Sequence, residues 1–195
     1  MKNSLLKMIM PIVWIFLGVF CIKTTAFSQG TRLLRQPTLS KDQVAFVYAD
    51  DLWIVQKNGG AARRLTSHEG SESVPHFSPD GKWIYFNGSM TGTMQLWRMK
   101  PDGTALEQLT FDQYNNWFPH ISPDGKWIAY ISFEDDIDPT QHPGCKPVSL
   151  KLLPVMGGFP KTIAYLYGGQ GTINTPSWSP DSQFIAFVSY SGSVK

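Results

Sequence analysis

Two histidines stand out among the residues able to do chemistry, because each follows a proline within one recurring pattern: Val74-Pro75-His76-Phe77-Ser78 and Phe118-Pro119-His120-Ile121-Ser122. Neutral imidazoles at equivalent places can converge on a transition-metal ion or a polar ligand. A metal site needs at least three converging ligands, and the related segments carry Thr38 and Ser177 here, so no metal is assigned. The competing reading has both rings bonded to backbone or to a turn aspartate. Asn115-Asn116-Trp117 and Gln170-Gly171-Thr172-Ile173-Asn174 form a second group, each just ahead of a copy of the pattern. Rings supply contact area and amides supply directional bonds, which suits sugars or extended peptides. Packing against adjacent structure competes with that reading. The candidate ligand-binding set is therefore His76, His120, Asn115, Asn116, Trp117, Gln170 and Asn174.

Covalent catalysis has little to stand on. No Gly-X-Ser-X-Gly elbow occurs, and most serines sit in turn-forming stretches where a hydroxyl caps backbone groups. Glu134, Asp135, Asp136 and Asp138 lie close to His142 and Cys145, but their spacing is not that of a calcium-binding loop with alternating carboxylates, a central Gly and a late Glu. That segment is expected to be a solvated surface loop. The glycines of Tyr167-Gly168-Gly169-Gln170-Gly171 precede no helical pattern and read as turn formers. No catalytic residue and no cofactor is assigned.

The elements that position these residues come from a repeat. Val74-Pro75-His76-Phe77-Ser78-Pro79-Asp80-Gly81-Lys82-Trp83-Ile84-Tyr85-Phe86 aligns with the segment from Phe118 to Tyr130 and with that from Thr175 to Phe187, and a fainter copy starts at Gln36. The marker prolines at 37, 75, 119 and 176 are 38, 44 and 57 residues apart, and a period near 40 to 45 is that of a four-stranded propeller blade. In each copy the proline is expected to open a strand, because it lacks an amide donor. Ser-Pro-Asp-Gly forms a turn, and the aromatic and β-branched run after it forms a strand buried on both faces. A third strand (Asp51 to Val55; Met94 to Met99) and a charged edge strand (Ala62 to Thr66; Leu106 to Thr110) complete the blade. The fold class is all-β: a partial β-propeller of about three antiparallel four-stranded blades plus the opening hairpin of a fourth.

Residues 1–28 read as a helical signal peptide: Lys2 and Lys7 ahead of the apolar run from Met8 to Phe20, then Ala26-Phe27-Ser28 as a cleavage site, leaving 29–195 as the propeller. The apolar run is too short for a membrane span, and Phe20 before Cys21 is a poor lipidation site. Of the chain's 17 basic groups the leader holds three, so the mature part carries 14 against 15 acidic groups. That near-neutral balance gives no electrostatic ground for a nucleic-acid partner or an anionic membrane. Only Cys145 follows the cleavage site, so no intrachain disulfide forms there. The expected location is periplasmic or secreted in a bacterium.

The Ser-Pro-Asp-Gly-Lys hairpin followed by Ile-Ala-Phe or Ile-Ala-Tyr, closed by a Leu-Thr edge, resembles the repeat of TolB-type propellers over roughly residues 32–190. The stretch from Arg64 to Lys82 is similar to the propeller of tricorn-type proteases. The resemblance implies an exported binding or scaffold module that takes a protein, peptide or glycan across one face or along its channel, with any catalysis in another domain. The alternative is the N-terminal non-catalytic propeller of a tricorn-like or prolyl-oligopeptidase-like serine peptidase. A third reading is a metal-dependent polysaccharide lyase using channel histidines. A closed ring usually has six or seven blades, so a truncated chain or self-association that completes the ring is expected.

Overall fold

The repeat predicts that each segment folds into one sheet, and a computed structural model describes residues 33–134, 137–173 and 177–190 as such sheets. The first contains β1 (Arg35–Leu39), β2 (Gln43–Tyr48), β3 (Asp51–Gln56) and β4 (Arg63–Arg64). The second contains β5 (Glu72–Phe77), β6 (Ile84–Gly88), β7 (Gln95–Met99) and β8 (Glu107–Gln108). The third contains β9 (Asn115–Ile121), β10 (Trp127–Phe133), β11 (Lys146–Pro154) and β12 (Lys161–Gly168). Each is an antiparallel meander in chain order, the arrangement of a propeller blade. A further hairpin is marked by the bridge between Trp178 and Ile185. The signal-peptide assignment lies outside the described residues.

One expectation about the blades is corrected. The marker prolines do not open strands. Pro37, Pro75 and Pro119 lie inside β1, β5 and β9, where the pairing register slips between Arg35 and Thr38, between Ser73 and His76, and opposite Ala129 and Ile131. A β-bulge leaves one residue unpaired, so a proline without an N–H is tolerated there. The residue before each proline is left-handed, with φ of 50° at Gln36, 52° at Val74 and 62° at Phe118. For β-branched or aromatic residues this conformation costs on the order of 1–3 kcal/mol and persists only where the surroundings hold it.

The preceding blade supplies that hold. The Val74 amide donates to Gln36 Oε1 (2.8 Å), and the Phe118 amide donates to Asn87 Oδ1 (3.0 Å). The Asn87 amide nitrogen donates to the Asn116 carbonyl at 2.7 Å, so this fully buried side chain on β6 clamps both sides of the β9 bulge. Apolar packing fills the rest. Ala45, Val47, Leu52 and Ile54 meet Ile84, Phe86, Trp97 and Met99 between the first two blades, while Tyr85 and Leu96 meet Ile128, Tyr130 and Leu153 between the second and third.

The predicted edge strands shrink to two residues each, and the threonines beyond them become blade connectors. Thr66 Oγ1 accepts from the Leu52 amide and Thr110 Oγ1 from the Leu96 amide, both at 2.9 Å. Thr66 then donates to Glu72 Oε2 (2.8 Å), the first residue of β5, which is fully buried beside Asp51. Asn116, one blade on, occupies the equivalent place and bonds Gln95 Oε1 (3.0 Å). Burial lifts the Glu72 carboxyl to about 7, the Thr66 hydrogen bond opposes the rise, and the Asp51 charge adds to it.

This arrangement sets a pH dependence. An acid whose folded pKa is raised keeps its proton in the native state, so its contribution is present below the ordinary carboxylate value and is lost as pH rises through about 7. Glu72→Gln, the amide chemistry that the next blade uses, is expected to match wild type in thermal unfolding near pH 4.5. At pH 8 it should unfold later by a few °C, on the order of 1 kcal/mol or more. Circular dichroism melts across that range check it.

Candidate functional site

At one end of the blades the Ser-X-Asp turn is built the same way three times. Ser78 Oγ donates to Asp80 Oδ1 (2.7 Å) and accepts from the Trp83 amide (3.0 Å), while Asp80 Oδ1 accepts from the Lys82 amide (3.1 Å). Ser122 with Asp124 and Ser179 with Asp181 repeat the bond at 2.6 Å. These hydroxyls, followed by the backbone amides, hold the three aspartates below the usual carboxylate range. Gly81 and Gly125 take the left-handed position at φ of 70° and 71°, and Ser182 takes it in the third copy at 62°. The rim therefore repeats one projecting turn geometry at three blades, while the Ser40 hydroxyl ahead of them bonds the Gln43 backbone instead of an aspartate.

Clefts open between neighbouring projections. The first, of about 730 Å³, lies between the turn around Ser40 and that around Ser78, with Leu39, Gln56 and Phe77 in its walls. The second, of about 470 Å³, lies between the turns of the second and third blades and is lined by Pro79, Trp83, Tyr85, Ile121 and Val155. Its wall is braced by Arg98, whose guanidinium lies 4.4 Å from the Trp83 ring, donates to Glu107 Oε2 (2.7 Å) and reaches the Val155 carbonyl (3.1 Å). The first cleft is mostly polar, with Leu39, Phe77 and Pro79 as its apolar residues, and the second is the more apolar; both have a turn aspartate at the lip.

The structure brings His76 and His120 together at the inner side of this rim. Their ring centroids are 5.1 Å apart, and the next residues, Phe77 and Ile121, line the two clefts. Burial lowers His76 to about 4 and His120 to about 3, and the neighbouring His76 lowers His120 further. His120 is only 6% exposed, and its Nε2 has no hydrogen-bond partner. Both rings are thus neutral near pH 7, each with one N–H donor and one acceptor nitrogen, and His120 also hydrogen-bonds the Ile173 backbone. Among the described residues, no group of three or more His, Cys, Asp or Glu side chains could hold a metal ion.

The other sequence candidates fall elsewhere. Asn115, Asn116 and Trp117 belong to strand β9 rather than to a connecting loop, and all three are buried. The Asn115 side chain is committed to the Met94 amide and the Ile137 carbonyl, both at 2.8 Å, and Asn116 bonds Gln95 and Asp112. Gln170 is exposed in a turn, where its backbone bonds Pro143 and the Tyr190 hydroxyl. Asn174 lies outside the described residues, as do Asp135 and Asp136. The insertion after β10 is not simply solvated: Ile137 packs on the third blade's core, and the His142 ring meets Trp117 at 4.5 Å and Phe118 at 5.0 Å. A single polar residue inside an apolar strand, Asn87 after Trp83-Ile84-Tyr85-Phe86, is the signal that could have found the clamp between blades.

Comparison with known proteins places this geometry. The tricorn protease N-terminal beta propeller domain family matches residues 31–118. An uncharacterized protein of Agrobacterium fabrum is 43% identical over 150 residues, covering 77% of this chain and 49% of the relative. Tricorn protease homolog 2 of Streptomyces coelicolor is 46% identical over 59 residues, 30% of this chain and 5% of the relative. Among solved structures, a TolB-like protein of Agrobacterium tumefaciens superposes with a TM-score of 0.72 and 37% identity, over 80% of this chain and 57% of that one. The chain thus spans about half the length of the two Agrobacterium relatives.

The paired imidazoles give an acid-limb test. A base whose folded pKa is lowered stays neutral in the native state while the unfolded chain takes up a proton below about 6.5, so stability is full above that value and falls as pH drops towards 4. Chemical denaturation should show a loss on the order of 2 kcal/mol per imidazole at about pH 5. His120→Phe is expected to flatten that limb, and a variant as acid-labile as wild type would refute the assignment.

Proposed function

Because the chain belongs to the TolB-like and tricorn N-terminal β-propeller family, we propose that it is an exported binding module whose rim of Ser-X-Asp turns receives an extended polypeptide. The observation that carries this reading is the pair of clefts repeated at the blade period, each placing a few apolar side chains (Leu39 and Phe77 in the first; Trp83, Tyr85 and Ile121 in the second) beside polar turn groups and a carboxylate at the lip. An extended peptide places alternate side chains on one side, so successive clefts suit successive anchor residues while the turn edges meet its backbone. Turns already fixed by their own hydrogen bonds lower the ordering cost of binding. Asn115 and Asn116 favour this rim over the opposite one, because the Asn115 amide is bonded inside the fold and the Asn116 side chain is fully buried, so neither offers a group at the surface.

A second reading shares the same site. The match to the tricorn propeller family over residues 31–118 favours a propeller that filters peptides for a serine-peptidase domain encoded with it. In both readings this part of the chain binds and does not cleave.

Two measurements test the proposal. Peptides selected from a random display library against the protein should lose about tenfold or more in affinity when Leu39, in the wall of the larger cleft, is changed to Glu. Amide shift changes on binding should centre on residues 39–43 and 77–81. Equal binding by the variant, or selection of glycans and not peptides on parallel arrays, would overturn it. For export, N-terminal sequencing of protein from the periplasm or medium is expected to begin at Gln29, after Ala26-Phe27-Ser28.

A further inference from the structure

Of the four arginines among the described residues, three are spent on carboxylates of the chain: Arg35 on Asp50 and Arg64 on Asp51 at 2.6 Å, and Arg98 on Glu107 at 2.7 Å. Arg63 is the exception. From the short edge strand β4 it crosses the joint between the first two blades and donates to two carbonyls of the second, Pro101 (2.9 Å) and Asp102 (3.2 Å). Carbonyls are neutral, so they fix the guanidinium without cancelling its charge. The turn that offers them is closed by bonds from the Lys100 amide to the Thr104 carbonyl (2.9 Å) and from the Gly103 amide to the Lys100 carbonyl (2.8 Å). Elsewhere the blades are clamped by neutral amides, Gln36 and Asn87, so bridging a joint does not by itself require a charge.

Around this anchored fork lies a pocket of about 460 Å³ walled by Gln43, Arg63, Lys82, Lys100, Pro101 and Asp102. Three cations meet one carboxylate there. Asp102 is already engaged: the Thr104 hydroxyl (2.6 Å) and amide (2.8 Å) both donate to its Oδ1 and hold it below the usual carboxylate range, and the Lys100 and Arg63 charges add to the effect. Lys82 has Asp80 at 3.4 Å. Among the described residues, the Lys100 side chain makes neither an ion pair nor a hydrogen bond. The walls therefore hold positive charge that the chain leaves unmatched. The pocket continues the first cleft, since Gln43 lines both and Lys82 follows Gly81 of the cleft wall. The second cleft is the reverse case, with Asp80 and Asp124 and no cation in its walls.

We propose that this pocket takes an acidic side chain of the extended polypeptide held in the first cleft, so that the rim selects Asp or Glu beside an apolar anchor; the inference rests on the peptide reading of that cleft. Two of the five N–H donors of Arg63 are spent on carbonyls, and the others remain for the oxygens of a carboxylate, whose planar shape a guanidinium matches. Lys82 and Lys100 add charge without imposing direction. The turn sets the guanidinium in place before a ligand arrives, so less side-chain freedom is lost on binding. All three cations are exposed, which keeps the attraction modest and open to screening by salt. The pocket thus tunes which peptides bind and leaves the apolar anchor to hold them.

Peptides selected on the full chain, from a random library displayed as N-terminal fusions with no free C-terminal carboxylate, should be enriched in Asp or Glu. Changing the enriched acidic residue to its amide should weaken a selected peptide by about three- to tenfold, and the gap should narrow as salt is raised. Lys100→Glu and Arg63→Gln should each remove most of that gap while leaving the affinity of the amide peptide within about twofold. The Lys100 side chain has no bond to lose, so its variant stays informative even where loss of Arg63 loosens the turn over 100–104, and circular dichroism melts check the fold of both. A selected set with no acidic preference, or a preference that survives both substitutions, would overturn the pocket while Leu39→Glu still weakens binding. Absence of any peptide binding would overturn the cleft reading and the pocket together.

Discussion

A sheet with apolar side chains on both faces has no stable form in water without a neighbour on each side, and this need governs the structure. Leu52 and Ile54 of the first blade share one buried cluster with Ile84, Phe86 and Trp97 of the second, and Tyr130 of the third shares another with Tyr85 and Leu96. At about 25 cal/mol per Å² of apolar surface, such contacts dominate the favourable side of folding. The polar bonds at the joints add direction. They fix which strand of one blade meets which bulge of the next.

That demand is why so much of the fold was legible in sequence. The turn chemistry of Ser78-Pro79-Asp80-Gly81 is local: hydroxyl, carboxylate and a glycine at positive φ decide it within a few residues, and the structure repeats it at Ser122 and Ser179. The two-faced apolar run after each turn follows from the same stretch of chain. The bulge was hidden because it depends on a partner from another blade. Val74 and Phe118 have no intrinsic liking for a left-handed backbone, and only the side chains of Gln36 and Asn87 make it tolerable.

The candidate site divides along the same line. His76 and His120 share one repeat position, and equivalent positions in adjacent blades meet, so their pairing followed from alignment alone. Asn115, Asn116 and Trp117 have the composition of a recognition loop, but composition does not reveal that all three side chains are buried in strand β9. The clefts could not be read in advance, since their walls come from residues about forty positions apart, such as Leu39 and Phe77. Glu72 shows the limit most sharply, because its pairing with Thr66 and crowding by Asp51 exist only in three dimensions.

The clamps at the bulges carry an implication for how such chains diversify. The β5 bulge is held by a glutamine from β1 and the β9 bulge by an asparagine from β6, so two equivalent needs are met from different strands with different amides. Blades of this protein are therefore not interchangeable cassettes, even where their turns match residue for residue. A duplicated or transplanted blade would bring its own strained residue but not the amide that steadies it, and the order of the modules is written into their borders.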